Sequence, residues 1–415
     1  MTRTTFPDHG TDADDLLDAM EAMKTGDIDW RAGRTPLYVF RATDSAAEIG
    51  QAAFNRFFTE NALGGKRAFL SVGRMEREVI DMALDLFHAP GDADGHMTTG
   101  GSESIFMAVK AARDAHRAAG SKVGQQLNIV MPESAHPAFD KAAQAMEIEM
   151  RRVGLAQSRR ADPAAMAEAA DARTMMMVAS APCFPFGVID PVAEVAAAAR
   201  ERGIWLHVDA CVGGYLIPFA KANGEDLPDF DFAVDGVRSI SADLHKFGFC
   251  PKPASTVFFR DADDMARSAF DFDVWANGRF VTYTIAGTRP AGAVAGAWAV
   301  LNHLGRDGYC DVARDLLEMA RAYRAGIEAI GGLHMLAEPD LTILNFGADG
   351  LDIFAAADRM AAKGWLPGRT QDPRGLHLML SMLHAPAREA YVADLAEAVD
   401  AVRREGGASA AKAVY

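Results

Sequence analysis

The chain is poor in cysteine. Its 415 residues hold four, Cys183, Cys211, Cys250 and Cys310. None form a C-x-x-C pair and none stand at metal-ligand spacing from histidine, which speaks against a disulfide framework and a thiolate metal centre. Free thiols in a reducing compartment are expected. Long apolar runs are missing too. No window reaches the ~18 consecutive apolar residues of a membrane-spanning helix. The N-terminus, MTRTTFPDHGTDADDLL, is polar and acidic and has no signal core. A soluble, cytoplasmic protein without a membrane anchor is the expectation. Basic charge is in deficit: 42 Lys and Arg face 57 Asp and Glu, a formal net charge of −15. Nucleic acid and anionic membranes attract basic surfaces, so neither is expected as the main partner. An anionic small molecule stays open, because a site can be locally basic on an acidic protein. No internal repeat is present.

What remains is the composition of an ordinary globular enzyme, 50% hydrophobic and 24% charged, on a chain long enough for more than one lobe. Helices are predicted near 14–25, 43–59 and 72–87. Leu16, Leu17, Met20 and Met23 share a face of the first. Ile49, Ala53, Phe57 and Phe58 form the apolar stripe of the second. This N-terminal arm has no core of its own. From residue 95 the pattern changes. A helix is predicted at 105–119. Strands at 127–132, 149–153, 174–179, 204–208 and 237–242 alternate with helices at 135–146, 163–172 and 192–202. Such alternation predicts an α/β architecture, a mostly parallel sheet with helices on both faces. The methionine run at 175–177 reads as a buried strand rather than a soft-metal site. A strand at 255–260, a loop-rich stretch at 271–284 and helices at 293–304 and 312–330 follow. Beyond 333 a smaller α+β lobe is predicted, with strands near 341–346 and 376–383 and helices near 353–363 and 388–404. Residues 1–12 and the tail GGASAAKAVY are expected to be mobile.

Four local signals carry chemistry. The strand WLHV ends on Asp209, at the carboxyl edge where parallel sheets bind ligands. The segment SISADLHKFGF places Lys246 between apolar runs and directly after His245. That context favours burial and predicts a lowered amine pKa. A lysine amine with a carboxylate is the pair pyridoxal phosphate requires. The amine forms a Schiff base with the aldehyde, and the carboxylate keeps the pyridine nitrogen protonated. TTGGSES, with Gly101 and Ser102, leads into the helix predicted at 105–119 and reads either as an anion cradle or as a plain Gly-rich cap. His136, in ESAHPAF, is placed to stack on a pyridine ring or merely to neighbour a helix start. His245 reads as a phosphate contact or as a core histidine. Each signal alone is weak. Their order along the chain makes them stronger together.

At this point the sequence resembles a known family. The blocks TGGSESIFMAVKAARD, ESAHPAFDKAA, FPFGVIDPVAEVA, LHVDACVGGYLIPF, GVRSISADLHKFGF and TIAGTRPAGAVAGAWAVLNHLGRDGY are similar to those of the sphingosine-1-phosphate lyase group. That group lies in the group II decarboxylase-like branch of the fold type I pyridoxal phosphate enzymes. The resemblance implies a large domain at 75–291 that binds the cofactor. It also implies an N-terminal arm at 1–74 and a C-terminal small domain with a linking helix at 292–415. Lys246 is then the Schiff-base lysine, Asp209 the pyridine-nitrogen partner and His136 the ring stacker, with Gly101, Ser102 and His245 on the phosphate. Thr288, in AGTRP, matches a block that reaches a neighbouring subunit's cofactor, and a homodimer with the active site at the interface is implied. Lys252 is implied as a substrate-anion contact and Tyr38 as an N-terminal active-site residue. The activity implied is carbon–carbon cleavage of a β-hydroxy amine or its phosphate ester. L-amino acid decarboxylation is the alternative, with elimination or transamination further off. A non-catalytic regulator and a Cys211 desulfurase are disfavoured. The chain also departs from the group. Asn61-Ala62-Leu63-Gly64-Gly65 lacks the family's histidine. Phe247 and Phe249 stand where tyrosines are usual, and Phe186 stands where histidine is frequent. The cofactor site is thus expected to be intact and the substrate site altered.

Overall fold

The computed structural model describes residues 3–120 and 124–414. Three helices precede the main sheet: α1 (Ala13–Met23), α2 (Asp44–Arg56) and α3 (Leu70–Leu86). Strands and helices then alternate as β1 (Asp94–Thr98), α4 (Gly101–Ala118), β2 (Asn128–Pro132), α5 (Ala138–Met146), β3 (Glu149–Val153), α6 (Pro163–Ala169) and β4 (Thr174–Ser180). They continue through α7 (Val192–Glu201), β5 (Trp205–Asp209), α8 (Ile217–Ala222), β6 (Val237–Ala242) and β7 (Ser255–Phe259). The seven strands lie in the order β1-β7-β6-β5-β4-β2-β3. β6, β5, β4, β2 and β3 pair in parallel, and β7 runs against both its neighbours. This is the mostly parallel sheet expected, with β1 as an added strand. Its strands need cover on both faces, and β4 shows why. All seven of its residues are buried. Met177 and Ala179 join the core that holds Leu206 and Val208. Met176 and Val178 face the other way, against Ile129 and Phe139. The methionine run is therefore core.

The chain then forms α9 (Ala262–Ser268), a hairpin of β8 (Phe270–Phe272) and β9 (Phe280–Thr282), and the long α10 (Ala291–Glu328). The remaining elements are β10 (Leu333–Met335), β11 (Ile343–Ala348), α11 (Ile353–Ala362), β12 (Gly368–Gln371), β13 (Arg374–Met379) and α12 (Arg388–Glu405). Their antiparallel sheet has the order β10-β11-β13-β12. This is the α+β lobe that the sequence predicts.

Several local expectations change. The two helices predicted around residue 305 join into α10, which breaks its helical geometry only at Gly305 (φ 59, ψ −178). The stretch at 271–284, expected as loop, contains the β8–β9 hairpin. In α2 the buried residues are Ala46 and Gly50, while Ile49 and Phe58 are exposed. The helix lies so close to α10 that a Cβ on Gly292 would sit 2.6 Å from the Phe54 carbonyl oxygen. The Phe54 ring also lies 3.1 Å from that position, so α10 has no room for a side chain there. The tail is tied down rather than loose: Ser409 N–H donates to Asp352 (2.8 Å) and Ala413 N–H to Gln371 (3.1 Å). Tyr415 lies outside the described residues, as do Met1 and Thr2. Residues 3–12 are exposed and form no helix or strand.

Candidate active site

β5 delivers Asp209 to the carboxyl edge of the sheet, opposite Ser241 of β6. Its Oδ1 accepts from the Cys211 N–H (3.1 Å) and the Ser241 hydroxyl (3.3 Å). Two residues beyond Ser241 comes Asp243, then the turn that carries His245 and Lys246. That turn is pinned to β7 by His245 N–H on the Ala254 carbonyl (2.9 Å). The Ala254 N–H in turn donates to His245 Nδ1 (3.2 Å). A ring that accepts at Nδ1 carries its proton at Nε2 when neutral. His136 is fixed the same way, its Nδ1 accepting from Ala138 N–H (3.1 Å) at the start of α5.

The third side is the start of α4. Gly101 and Ser102 begin its first turn, where backbone N–H groups have no carbonyl of their own helix to meet. Glu103 braces this turn. One carboxyl oxygen accepts from Thr99 N–H and hydroxyl (both 2.7 Å), the other from Ile285 N–H (2.7 Å) and Ala286 N–H (3.2 Å). The fourth wall is the loop after β4. Phe184 stands in the cavity wall, and its carbonyl accepts from His377 Nε2 of β13 (2.8 Å). Asn345 of β11 donates to the Pro185 carbonyl (2.8 Å). Arg160 grips Asp340 with two nitrogens (2.7 and 2.9 Å). The smaller lobe thus holds this wall.

Gly101, Ser102, His136, Asp209, His245 and Lys246 all line one cavity of about 390 Å³. That is a usual size for a small-molecule site. Lys246 Nζ lies 2.9 Å from Asp243 Oδ2, and His245 Nε2 3.7 Å from the same oxygen. Burial pulls the ammonium pKa down, but Asp243, then Cys211 and Asp209, outweigh it, and the net shift is upward. The lowered pKa expected from the sequence is therefore wrong for the cofactor-free chain. The apolar flanks were legible, and the paired carboxylate was not weighed. Burial raises Asp243, yet Lys246 and His245 hold its pKa below the ordinary value. Burial lowers both His136 and His245, against the pull of Asp209 and Asp243 respectively, so both rings are neutral at pH 7. Cys211 is pushed well up by burial and stays a thiol, a poor nucleophile.

Three sequence candidates stand outside this cavity lining. Tyr38 is half exposed, with its backbone at φ 69, and its carbonyl accepts from Lys252 Nζ (2.9 Å). Lys252 lines an adjoining cavity of about 430 Å³ with Phe40, Phe54, Phe249 and Pro251; His245 lines both cavities. Thr288 Oγ1 accepts from Asn61 Nδ2 (3.2 Å) of its own chain. Sequence reasoning missed Asp243 and Glu103. Asp243 carried a signal, an acid three residues before the lysine. Glu103 carried a fainter one, an acid in the first turn of a helix.

A lysine amine, an opposed carboxylate and an open helix start around one cavity suit a phosphorylated pyridine aldehyde. A Cβ on Gly101 would lie 2.8 Å from Cys211 Sγ and 3.0 Å from both Asp243 oxygens. The backbone therefore approaches the cavity floor as a phosphate cradle must. Fold and site together define a pyridoxal-phosphate-dependent enzyme of fold type I. The family model of the pyridoxal-dependent decarboxylase conserved domain matches residues 71–348, and the chain belongs to this family. It is 37% identical to the sphingosine-1-phosphate lyase of Oryza sativa subsp. japonica, over 98% of this chain and 76% of that one. A probable L-tyrosine/L-aspartate decarboxylase of Methanothermobacter thermautotrophicus is 33% identical over 78% of this chain and 86% of its own. The solved structure of Burkholderia pseudomallei sphingosine-1-phosphate lyase superposes with a TM-score of 0.92 at 33% identity, covering 97% of this chain and 94% of that one. The protein is a pyridoxal-phosphate-dependent lyase. Among the described residues no helix is long and apolar enough to cross a membrane, and no cluster of three His, Cys, Asp or Glu side chains is placed to hold a metal.

Proposed function

We propose that the chain cleaves the Cα–Cβ bond of a β-hydroxy amine, or of its phosphate ester, to an aldehyde and an amine. The observation that carries this is the cavity that joins Lys246, Asp209, His136 and the α4 start, in a chain similar to lyases over nearly its whole length. Pyridoxal phosphate supplies an electron sink for the pair freed when a bond at the substrate's Cα breaks. The chain's own residues do the rest. Asp209, held by Cys211 and Ser241, keeps a proton on the pyridine nitrogen. His136 covers the ring face. Gly101, Ser102 and the Nε2–H of His245 meet the phosphate. Lys246 Nζ binds the cofactor and, when released, takes the β-hydroxyl proton and returns one to Cα. Tyr38 and Lys252, joined at 2.9 Å, are assigned to the far end of the substrate, beside an apolar cavity that suits a hydrocarbon stem. Phe249 lines that cavity, where the resemblance would place a hydroxyl. Less dependence on a phosphate ester follows.

The reading extends to assembly. We infer a homodimer with the active site at its interface, the arm at 1–74 and the small domain at 292–415 flanking the cofactor domain at 75–291. Leu17 and Met23 of α1, and Phe270, Val274 and Trp275 of the β8–β9 hairpin, are exposed on the single chain, and exposed apolar residues in such number fit a partner surface. Thr288, outside its own cavity, is assigned to the partner's cofactor. The decisive assay incubates the cofactor-loaded protein with β-hydroxy amines and their phosphate esters and measures aldehyde. Aldehyde release that disappears in Lys246→Ala, together with the visible absorption of the lysine-bound cofactor, supports the reading. Carbon dioxide from L-amino acids without aldehyde would move the protein to the decarboxylases, to which the methanogen relative points.

A further inference from the structure

Asp243 is a buried carboxylate that the reaction as described does not use. Its side chain is 2% exposed. Oδ2 meets Lys246 Nζ at 2.9 Å, and Oδ1 is buried without a hydrogen-bond partner. A carboxylate buried with one open oxygen is costly unless cations or dipoles compensate it. The compensation is local: the Lys246 ammonium, His245 Nε2 at 3.7 Å, and the start of α4, whose Gly101 packs against both carboxyl oxygens. We propose that Asp243 is a positioning residue, the resting partner that holds the Lys246 ammonium whenever the amine is not bonded to the cofactor and so sets the pH at which it can engage. The inference rests on the proposed role of Lys246.

The chemistry runs in two directions. To bind the cofactor, the ammonium must first give a proton to solvent. Its lone pair then attacks the aldehyde carbon, the C–N bond forms, and the carbonyl oxygen leaves as water. Asp243 opposes the first step by stabilising the charged amine. In the reverse sense, an amine displaced by substrate takes up a proton and has a carboxylate waiting at 2.9 Å. The same contact slows loading and favours release. Other groups facing Lys246 cannot take this part. Asp209, from β5, has its Oδ1 engaged by Cys211 and Ser241, and the proposed function gives it to the pyridine nitrogen. Glu103, from α4, is spent on four N–H and O–H donors. His136 and His245 are neutral at pH 7, and Cys211 remains a thiol.

The test follows pyridoxal phosphate uptake by the full-length chain purified without cofactor, read by stopped-flow absorbance across pH. In the native chain the rate rises with pH as the ammonium is lost. In Asp243→Asn, uptake at pH 7 is expected to be about tenfold faster or more, with its plateau at least about one pH unit lower, since one unit of amine pKa is a factor of ten in free base. An unchanged profile, or one displaced to higher pH, overturns the proposal. Should Asp243→Asn fail to fold, acylation of Lys246 in the native cofactor-free chain, followed by mass spectrometry, decides. A labelling midpoint above the ~10.4 of an ordinary lysine supports Asp243 as partner, and a midpoint at or below it overturns the proposal. If the native chain takes up no cofactor, the site reading falls and this proposal with it. Uptake with identical native and Asn profiles sinks this proposal alone.

Discussion

Gly101 leaves no room for a side chain. Even one Cβ there meets Cys211 Sγ at 2.8 Å and the Asp243 carboxylate at 3.0 Å. Gly101→Val is therefore expected to weaken pyridoxal phosphate binding at least about tenfold, a loss of about 1.4 kcal/mol or more, measured by titrating the visible absorption. A Val chain that binds as tightly as the native one would show that the phosphate lies elsewhere. The cofactor-side residues were legible because they sit at or just beyond a strand end or near a helix start, positions that the pattern of apolar residues betrays. Asp243 was harder to read. Its importance lies in a 2.9 Å contact with Lys246, and the same contact reversed the expected pKa shift. Tyr38, Lys252 and Thr288 were named only through resemblance, and none lines the cavity of the single chain.

Helices and strands followed periodicity well where one face was buried and poorly elsewhere. β1 was missed because Asp94-Gly95-His96-Met97-Thr98 shows no clean alternation, though four of its five residues are buried. The arm was expected to have no core of its own, and α1 buries none of its residues on its own chain. α10 is the informative case. Its Gly305 takes a conformation open almost only to glycine, so the helix turns there without ending. Gly305→Ala should cost about 1–3 kcal/mol, seen as a lower midpoint in urea unfolding of the cofactor-free chain. A midpoint equal to the native one would mean that α10 can straighten at no cost.

The folded chain as a whole should be acid-labile. Burial pushes His96 down to about 3, and His207 and His377 down to about 4. Unfolded histidines protonate near 6.5, so between pH 6.5 and about 4 the unfolded chain takes up protons that the folded one refuses. Stability then falls with falling pH, by up to about 1.4 kcal/mol per unit for each histidine. Asp190, raised by burial to about 6, has the opposite sign: its share is lost as pH rises through about 6. Three groups outweigh one, so the unfolding midpoint is expected to drop steeply from pH 6.5 to 4.5. A flat profile in that interval would contradict the buried, neutral state of these rings. Assembly has its own check. Trp275→Asp places a charge on the exposed hairpin and, if the proposed homodimer uses it, should leave the protein monomeric in light scattering, with lower activity per chain. A mutant that stays dimeric would remove the hairpin from the interface.

The clamp on the wall at Phe184 makes the smaller lobe a gauge of the cavity. His377, Asn345 and Asp340 are distant in sequence, yet they fasten the segment from Phe184 to Ile189 that walls the cavity. Whatever fills that cavity and steadies its wall also steadies the lobe, and by reciprocity whatever loosens the lobe weakens the occupant. Cutting or heating the C-terminal third of the chain would therefore be felt first as a loosened cofactor, before the main sheet gives way.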